Sequence, residues 1–141
     1  MSKTLVVANE TIEGHALHEA IPYGTEVRVV APALNSRLRH WLSDEDTARR
    51  SAERRLGHFL ESLGQAGILA SGRVGDADPL LAIEDELRTF HADEIVISTH
   101  PEGRSHWLEQ DLIGKAQARF ALPITHVVVD LAAEQSPVPR G

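Results

Sequence analysis

The sequence of 141 residues has the length of one compact domain, and its 42% hydrophobic and 25% charged residues are ordinary for a chain that buries a core. It contains no cysteine, which excludes disulfides, a thiol nucleophile and cysteine-ligated metal sites and fits a cytoplasmic location. The formal net charge of −7 argues against nucleic acid as a partner, and no apolar run is long enough to span a membrane.

Five short β-branched runs predict strands, and four amphipathic segments between them predict helices. The amino-terminal run is too short for a signal peptide and is expected to form the first strand. The predicted strands are 5–8, 26–30, 68–74, 94–97 and 126–129, and the predicted helices are 11–21, 44–63, 79–90 and 108–120. Because the strands are apolar at consecutive positions, we expect helices on both faces of a parallel, doubly wound α/β sheet.

Helix ends and domain limits also follow from the sequence. Asp78 before Pro79 predicts an N-cap, and Gly64 predicts the carboxyl-terminal end of the second helix. No internal boundary is visible, so residues 1–131 are expected to form a single domain. Residues 132–141, with two prolines and few apolar side chains, are expected to form a flexible tail.

The loop that follows the fourth strand carries the richest polar chemistry in the sequence. It runs from Thr99 to Trp107, at the carboxyl end of a central strand, where such sheets bind ligands. Ser105 is expected to cap the next helix and to leave backbone N–H groups free for an anion. The alternative is an ordinary capped surface turn in which Trp107 packs locally.

Four segments, in this order and spacing, resemble the universal stress protein family of the adenine-nucleotide α-hydrolase-like group. They are Leu-Val-Val-Ala-Asn-Glu at 5–10, Gly-Asp-Ala-Asp-Pro at 75–79, Ala-Asp-Glu-Ile-Val-Ile at 92–97 and Leu-Pro-Ile into Val-Val-Val at 122–129. The resemblance implies a five-stranded sheet of order 3-2-1-4-5 and a homodimer formed through the last strand. It also implies an adenine-nucleotide site between the first and fourth strands.

The nucleotide loop departs from the family pattern. ATP-binding members carry G-x2-G-x9-G-[S/T], and anchoring this motif on Gly114 places Pro101 and Arg104 at the first two glycines and Lys115 at the hydroxyl position. The resemblance therefore implies binding of ATP, another adenine nucleotide or an anion through side chains, with no metal except nucleotide-bound magnesium. The candidate residues are Asn9, Glu10, Asn35, Thr99, Arg104, Ser105 and Lys115.

Two further clusters have both a functional and a structural interpretation. His15 and His18, with Glu19 adjacent, have a spacing at which two metal ligands share a helix face, but solvated helix histidines are the favoured interpretation. Arg49, Arg50, Arg54 and Arg55 alternate with acidic residues, and we interpret them as a salt-bridged helix face rather than an RNA-binding surface.

The resemblance implies a stress-response protein, and the residues favour a non-enzymatic or weakly enzymatic ligand-binding protein for which we name no catalytic residue. His100 and Ser105 share one short loop without a nucleophile elbow, so they do not predict a hydrolase. Two other functions stay open: a dimeric interaction module that binds no nucleotide, and a nucleotide hydrolase of the wider group.

Overall fold

The computed structural model describes residues 2–8, 10–13, 15–22, 24–32, 45–101, 103 and 105–135, with the side chains of 10, 13, 45–48, 106, 134 and 135 outside that description. The strands are β1 (Ser2–Val7), β2 (Thr25–Pro32), β3 (Ala70–Gly75), β4 (Glu94–Thr99) and β5 (Ile124–Val128). The helices are α1 (His15–Ala20), α2 (Glu45–Gln65), α3 (Pro79–Leu87), α4 (His106–Glu109), α5 (Leu112–Arg119) and α6 (Leu131–Gln135), and a 3-10 helix (Glu10–Glu13) precedes α1.

All five strands are parallel and lie in the order β3-β2-β1-β4-β5, which confirms the predicted fold class and strand order. In the central strand, Val6 lies opposite Val29 of β2 and Val96 of β4. Residues 5–8 are completely buried, because helices cover both faces of the sheet.

Each face of the sheet has its own hydrophobic core. On the first face, the 3-10 helix, α1 and α2 contribute Ile12, Leu17, Leu56, Phe59 and Leu63. On the second face, α3, α4 and α5 contribute Ala82, Ile83, Trp107, Leu112 and Ala116. This division follows from right-handed crossovers, since the chain moves outward from β1 through β2 to β3 and then returns to β4 and β5.

The helix ends bear out one sequence prediction and correct another. Asp78 accepts a hydrogen bond from the Leu80 N–H at 3.0 Å, so the predicted cap is confirmed. Gly64 does not end α2: Gly67, with φ of +81°, is the left-handed residue of a Schellman motif. Its hydrogen bonds run from the Ile68 N–H to the Leu63 carbonyl at 2.9 Å and from the Gly67 N–H to the Gly64 carbonyl at 3.0 Å.

Two helices predicted as continuous are interrupted. The predicted helix 11–21 consists of the 3-10 helix and the short α1. The predicted helix 108–120 is divided into α4 and α5 by Asp111, whose φ of 56° is left-handed. Leu112 and Ala116 still share one buried face, because both lie in α5, after the break at Asp111. Helix α6 occupies the first part of the predicted tail, and residues 136–141 lie outside the described residues.

A buried carboxylate joins β2, β3 and α3. Glu86 is 1% exposed, and it accepts hydrogen bonds from Arg73 Nε at 2.6 Å, Arg73 Nη2 at 3.2 Å and Arg28 Nη1 at 3.3 Å. Arg28 also donates to Ser71 Oγ at 2.8 Å and lies over the Phe90 ring, with 5.1 Å to its centroid. The hydrogen bond to Glu86 raises the pKa of Arg73 above its ordinary value.

Two glycines, one in β3 and one in α2, provide a matched test of packing. A Cβ on Gly72 of β3 would lie 2.7 Å from the Val29 carbonyl oxygen, whereas one on Gly57 of α2 would meet no atom within 4 Å. We expect Gly72→Ala to lower the free energy of unfolding by about 1–3 kcal/mol. Gly57→Ala should raise it by about 0.5–1 kcal/mol, because alanine favours the helix. Denaturant unfolding measures both, and a Gly72→Ala protein as stable as the unsubstituted chain would contradict the packing described.

Candidate functional site

The polar residues of interest lie at the carboxyl edge of the sheet, between β1 and β4. These two strands are neighbours, yet the chain leaves β1 toward β2 and leaves β4 toward β5, so the two connections diverge, which is the topology that leaves a crevice at the edge of open parallel sheets. The backbone on either side is well held: the Ala8 N–H donates to the Val30 carbonyl at 3.2 Å, and the Val129 N–H donates to the Thr99 carbonyl at 2.8 Å. This is the position at which open parallel sheets bind ligands.

Thr99 ends β4 and is 2% exposed. Its Oγ1 lies 2.7 Å from Nε2 of His126 on the edge strand β5, where the hydrogen can come from either group according to the histidine tautomer. Partial burial of the ring lowers the pKa of His126, which favours the neutral imidazole. From the sequence, His126 is predicted only as part of a strand. The feature of the sequence that could have indicated a role for His126 is a titratable side chain within a run of β-branched residues.

Ser105 and Trp107 hold the beginning of α4 in place. Ser105 Oγ accepts a hydrogen bond from the Leu108 N–H at 3.4 Å, so the predicted cap of α4 is confirmed. Trp107 is 6% exposed and packs into the second-face core. The buried tryptophan and the hydrogen-bonded cap therefore hold the beginning of α4 against the second-face core.

Gly114 and Lys115 lie in the first turn of α5 rather than in a loop. The Lys115 N–H donates to the Asp111 carbonyl at 3.0 Å, and the Lys115 side chain is exposed. A Cβ on Gly114 would lie 2.6 Å from a carboxylate oxygen of Asp111, so the glycine leaves room for that carboxylate. Asp111 thus places negative charge over the amino-terminal turn of α5, where Lys115 supplies a cation. Asp111 is not among the residues predicted from the sequence for this site.

The structure describes part of the predicted set. Thr99 and Ser105 lie at the carboxyl edge, and Lys115 lies one helix further along the chain. Glu10 begins the 3-10 helix, but its side chain lies outside the described residues. Asn9, Asn35 and Arg104 also lie outside them, so their proposed contacts stay predictions.

The helix histidines and the arginine band can also be placed. In the part of the chain that the structure describes, no group of three or more histidine, aspartate or glutamate residues is arranged to hold a metal ion. Arg49 pairs with Glu53, with 3.5 Å from Nε to Oε1, and both side chains are exposed. Arg54 and Arg55 instead line a cavity with His15 and His18. None of the helices described here is long and apolar enough to cross a membrane.

The strand order defines a doubly wound, parallel α/β protein. The structure is similar, with a TM-score of 0.61, to the crystal structure of a universal stress protein family protein from Arabidopsis thaliana with AMP bound. The similarity covers 96% of this chain and 97% of that chain at 11% sequence identity, so it shows a common fold. Neither the protein-family models nor the curated proteins give a match to the sequence.

Proposed function

We propose that this chain is a universal-stress-protein-like protein that binds an adenine nucleotide in the crevice between β1 and β4 and acts in a cytoplasmic stress response. The observation that carries the proposal is the polar carboxyl edge at Thr99 in a fold similar to a protein solved with AMP. Parallel sheets of this order bind ligands where neighbouring connections diverge.

Side chains supply the recognition in this proposal. Lys115 is exposed in the first turn of α5, at the positive end of that helix, and is available to a phosphate. Thr99 offers a hydroxyl beside His126, and Arg104, predicted from the sequence, adds a second cation. The negative Asp111 carboxylate beside Gly114 would repel a highly charged phosphate chain. We therefore expect a nucleotide with few phosphates, such as AMP, to bind more tightly than ATP.

Calorimetric titration with AMP, ADP, ATP and cyclic AMP tests the proposal. We expect Lys115→Ala to weaken AMP binding by about 10-fold or more, because a hydrogen bond to a charged group contributes roughly 1.5–3 kcal/mol. Lys3→Ala is the matched control, since Lys3 lies in β1 near the amino edge of the sheet and contacts Phe90.

The control should bind AMP as the unsubstituted chain does. No binding of any of the four nucleotides at millimolar concentration would refute the nucleotide site, and equal affinities for both lysine variants would place the ligand elsewhere. Product formation from ATP with magnesium would instead support the hydrolase.

A second function is favoured by the position of β5 at the edge of the sheet, where no described strand pairs with its outer side. Val128 is 51% exposed at the end of this edge strand. The Val129 N–H points to β4, so the N–H of Val128 points away from the sheet. We propose that a second copy of the chain covers this edge, and a dimeric interaction module is the function that would remain if no nucleotide binds.

A further inference from the structure

A second concave site lies on the first face of the sheet. Helix α1 has six residues, whereas its neighbour α2 has 21, and a cavity of about 490 Å³ opens between them. We call this cavity the α1–α2 groove. Its volume lies within the range of small-molecule sites.

The groove is lined by basic and imidazole side chains. His15 and His18 come from α1, and Arg54, Arg55 and His58 come from α2. None of its described lining residues is acidic, although the whole chain carries a formal charge of −7. The groove therefore concentrates hydrogen-bond donors and positive charge in an otherwise acidic protein.

Arg54 differs from most of the other arginines whose side chains are described, although the exposed Arg50 likewise has no ion pair within the described part of the chain. Arg73 and Arg119 each pair with a glutamate at 2.6 Å, and Arg49 pairs with Glu53 on its own helix. Arg54 has no such pair within the described part of the chain. Its guanidinium has donors for an anion from outside.

The floor of the groove is apolar. Ile12 is 3% exposed and Phe59 is 5% exposed, and both line the cavity while belonging to the first-face core. His18 lies edge-on to the Phe59 ring, with 6.3 Å between the ring centroids. A ligand in the groove would thus meet an apolar surface below and charged donors at the rim.

We propose that the α1–α2 groove binds a phosphorylated small molecule with a compact apolar group. Its phosphate oxygens would accept hydrogen bonds from Arg54 and His58, and its apolar group would lie against Ile12 and Phe59. Two cationic or donor side chains suit a tetrahedral phosphate, whose oxygens present acceptors in several directions. This site is independent of the nucleotide crevice.

Calorimetric titration with phenyl phosphate tests the groove. We expect the Arg54→Ala, His58→Ala double variant to bind at least 10-fold more weakly than the unsubstituted chain, because charge-assisted hydrogen bonds are lost. Arg50→Ala is the matched control, since Arg50 is exposed on the same helix and does not line the groove. Inorganic phosphate should bind less tightly than phenyl phosphate, because it cannot use the apolar floor.

Unchanged thermal unfolding of both proteins would show that the exposed substitutions leave the fold intact, and the Lys115→Ala protein should bind phenyl phosphate normally. If Arg50→Ala weakened phenyl phosphate binding as much as the double variant does, the affinity would come from the general positive charge of α2, and the proposed site would be wrong. Equal affinity for phenyl phosphate and inorganic phosphate, or no binding below about 10 mM, would also overturn it.

Discussion

Replacing Arg28 and Arg73 together with methionine is expected to lower the free energy of unfolding by about 3–5 kcal/mol, which is the cost of leaving a buried charge without its partner. Glu86 is 1% exposed, and these two guanidiniums are the cations that contact it. Methionine keeps much of the aliphatic stem of each arginine, so the lost stability measures mainly the cost of leaving the Glu86 carboxylate unpaired.

A triple variant separates the charge from the packing. Adding Glu86→Met to the double variant removes the uncompensated carboxylate, and we expect it to recover most of the lost stability, because apolar replacements of buried ion networks are often neutral. Arg88→Met is the matched control: Arg88 pairs with Asp85 at 3.8 Å on the same helix, with both side chains exposed.

Urea unfolding of these three variants and of the unsubstituted chain measures these differences. The control should change the free energy of unfolding by less than about 1 kcal/mol, as exposed ion pairs do. Two results would contradict this account: a double variant as stable as the control, or a triple variant no more stable than the double variant. Either would show that Glu86 is not left as an unpaired buried charge when both arginines are removed.

Replacing Val128 with lysine is expected to dissociate the proposed dimer, raising its dissociation constant by about 100-fold or more. Edge strands that carry a lysine resist pairing with another chain, and each protomer of a symmetric dimer would carry the substitution. Since Val128 is 51% exposed in the single chain, the substitution should leave the folded monomer intact.

Leu69→Lys provides the control at the opposite edge of the sheet. Leu69 is 64% exposed and precedes the other edge strand, β3. Sedimentation equilibrium should find a monomer for Val128→Lys and a dimer for both Leu69→Lys and the unsubstituted chain. An unsubstituted chain that is monomeric, or a dimer broken by Leu69→Lys alone, would contradict pairing through β5.

The sequence was sufficient for the architecture because the strands are marked by β-branched runs and the helices by apolar stripes. Right-handed crossovers and the resemblance then limited the strand order. The helix ends were less certain, since both Gly64 and Gly67 are near the end of α2 and only the folded chain shows which one has a positive φ. The Asp111 break was likewise missed, because no glycine or proline stands at that position, although aspartate adopts a positive φ more readily than most residues.

The functional features missed in the sequence depend on contacts between distant segments. Glu86 does carry a signal, because it is an acidic residue three positions after Ile83 in the apolar stripe of α3. The arginine band had been interpreted as one solvated face, but Arg54 and His58 face a different neighbour, α1. That neighbour could be named only once both helices were placed on the same face of the sheet.

Nitrogen–proton correlation spectra recorded while AMP is added test the central proposal most directly. A nucleotide in the crevice between β1 and β4 should shift the amide signals of Thr99, Ser105 and Gly114, because these residues lie at or near the carboxyl edge. The signals of His18 and His58 in the α1–α2 groove should stay in place. Shifts confined to the groove, or no shifts at millimolar AMP, would contradict nucleotide binding at the carboxyl edge.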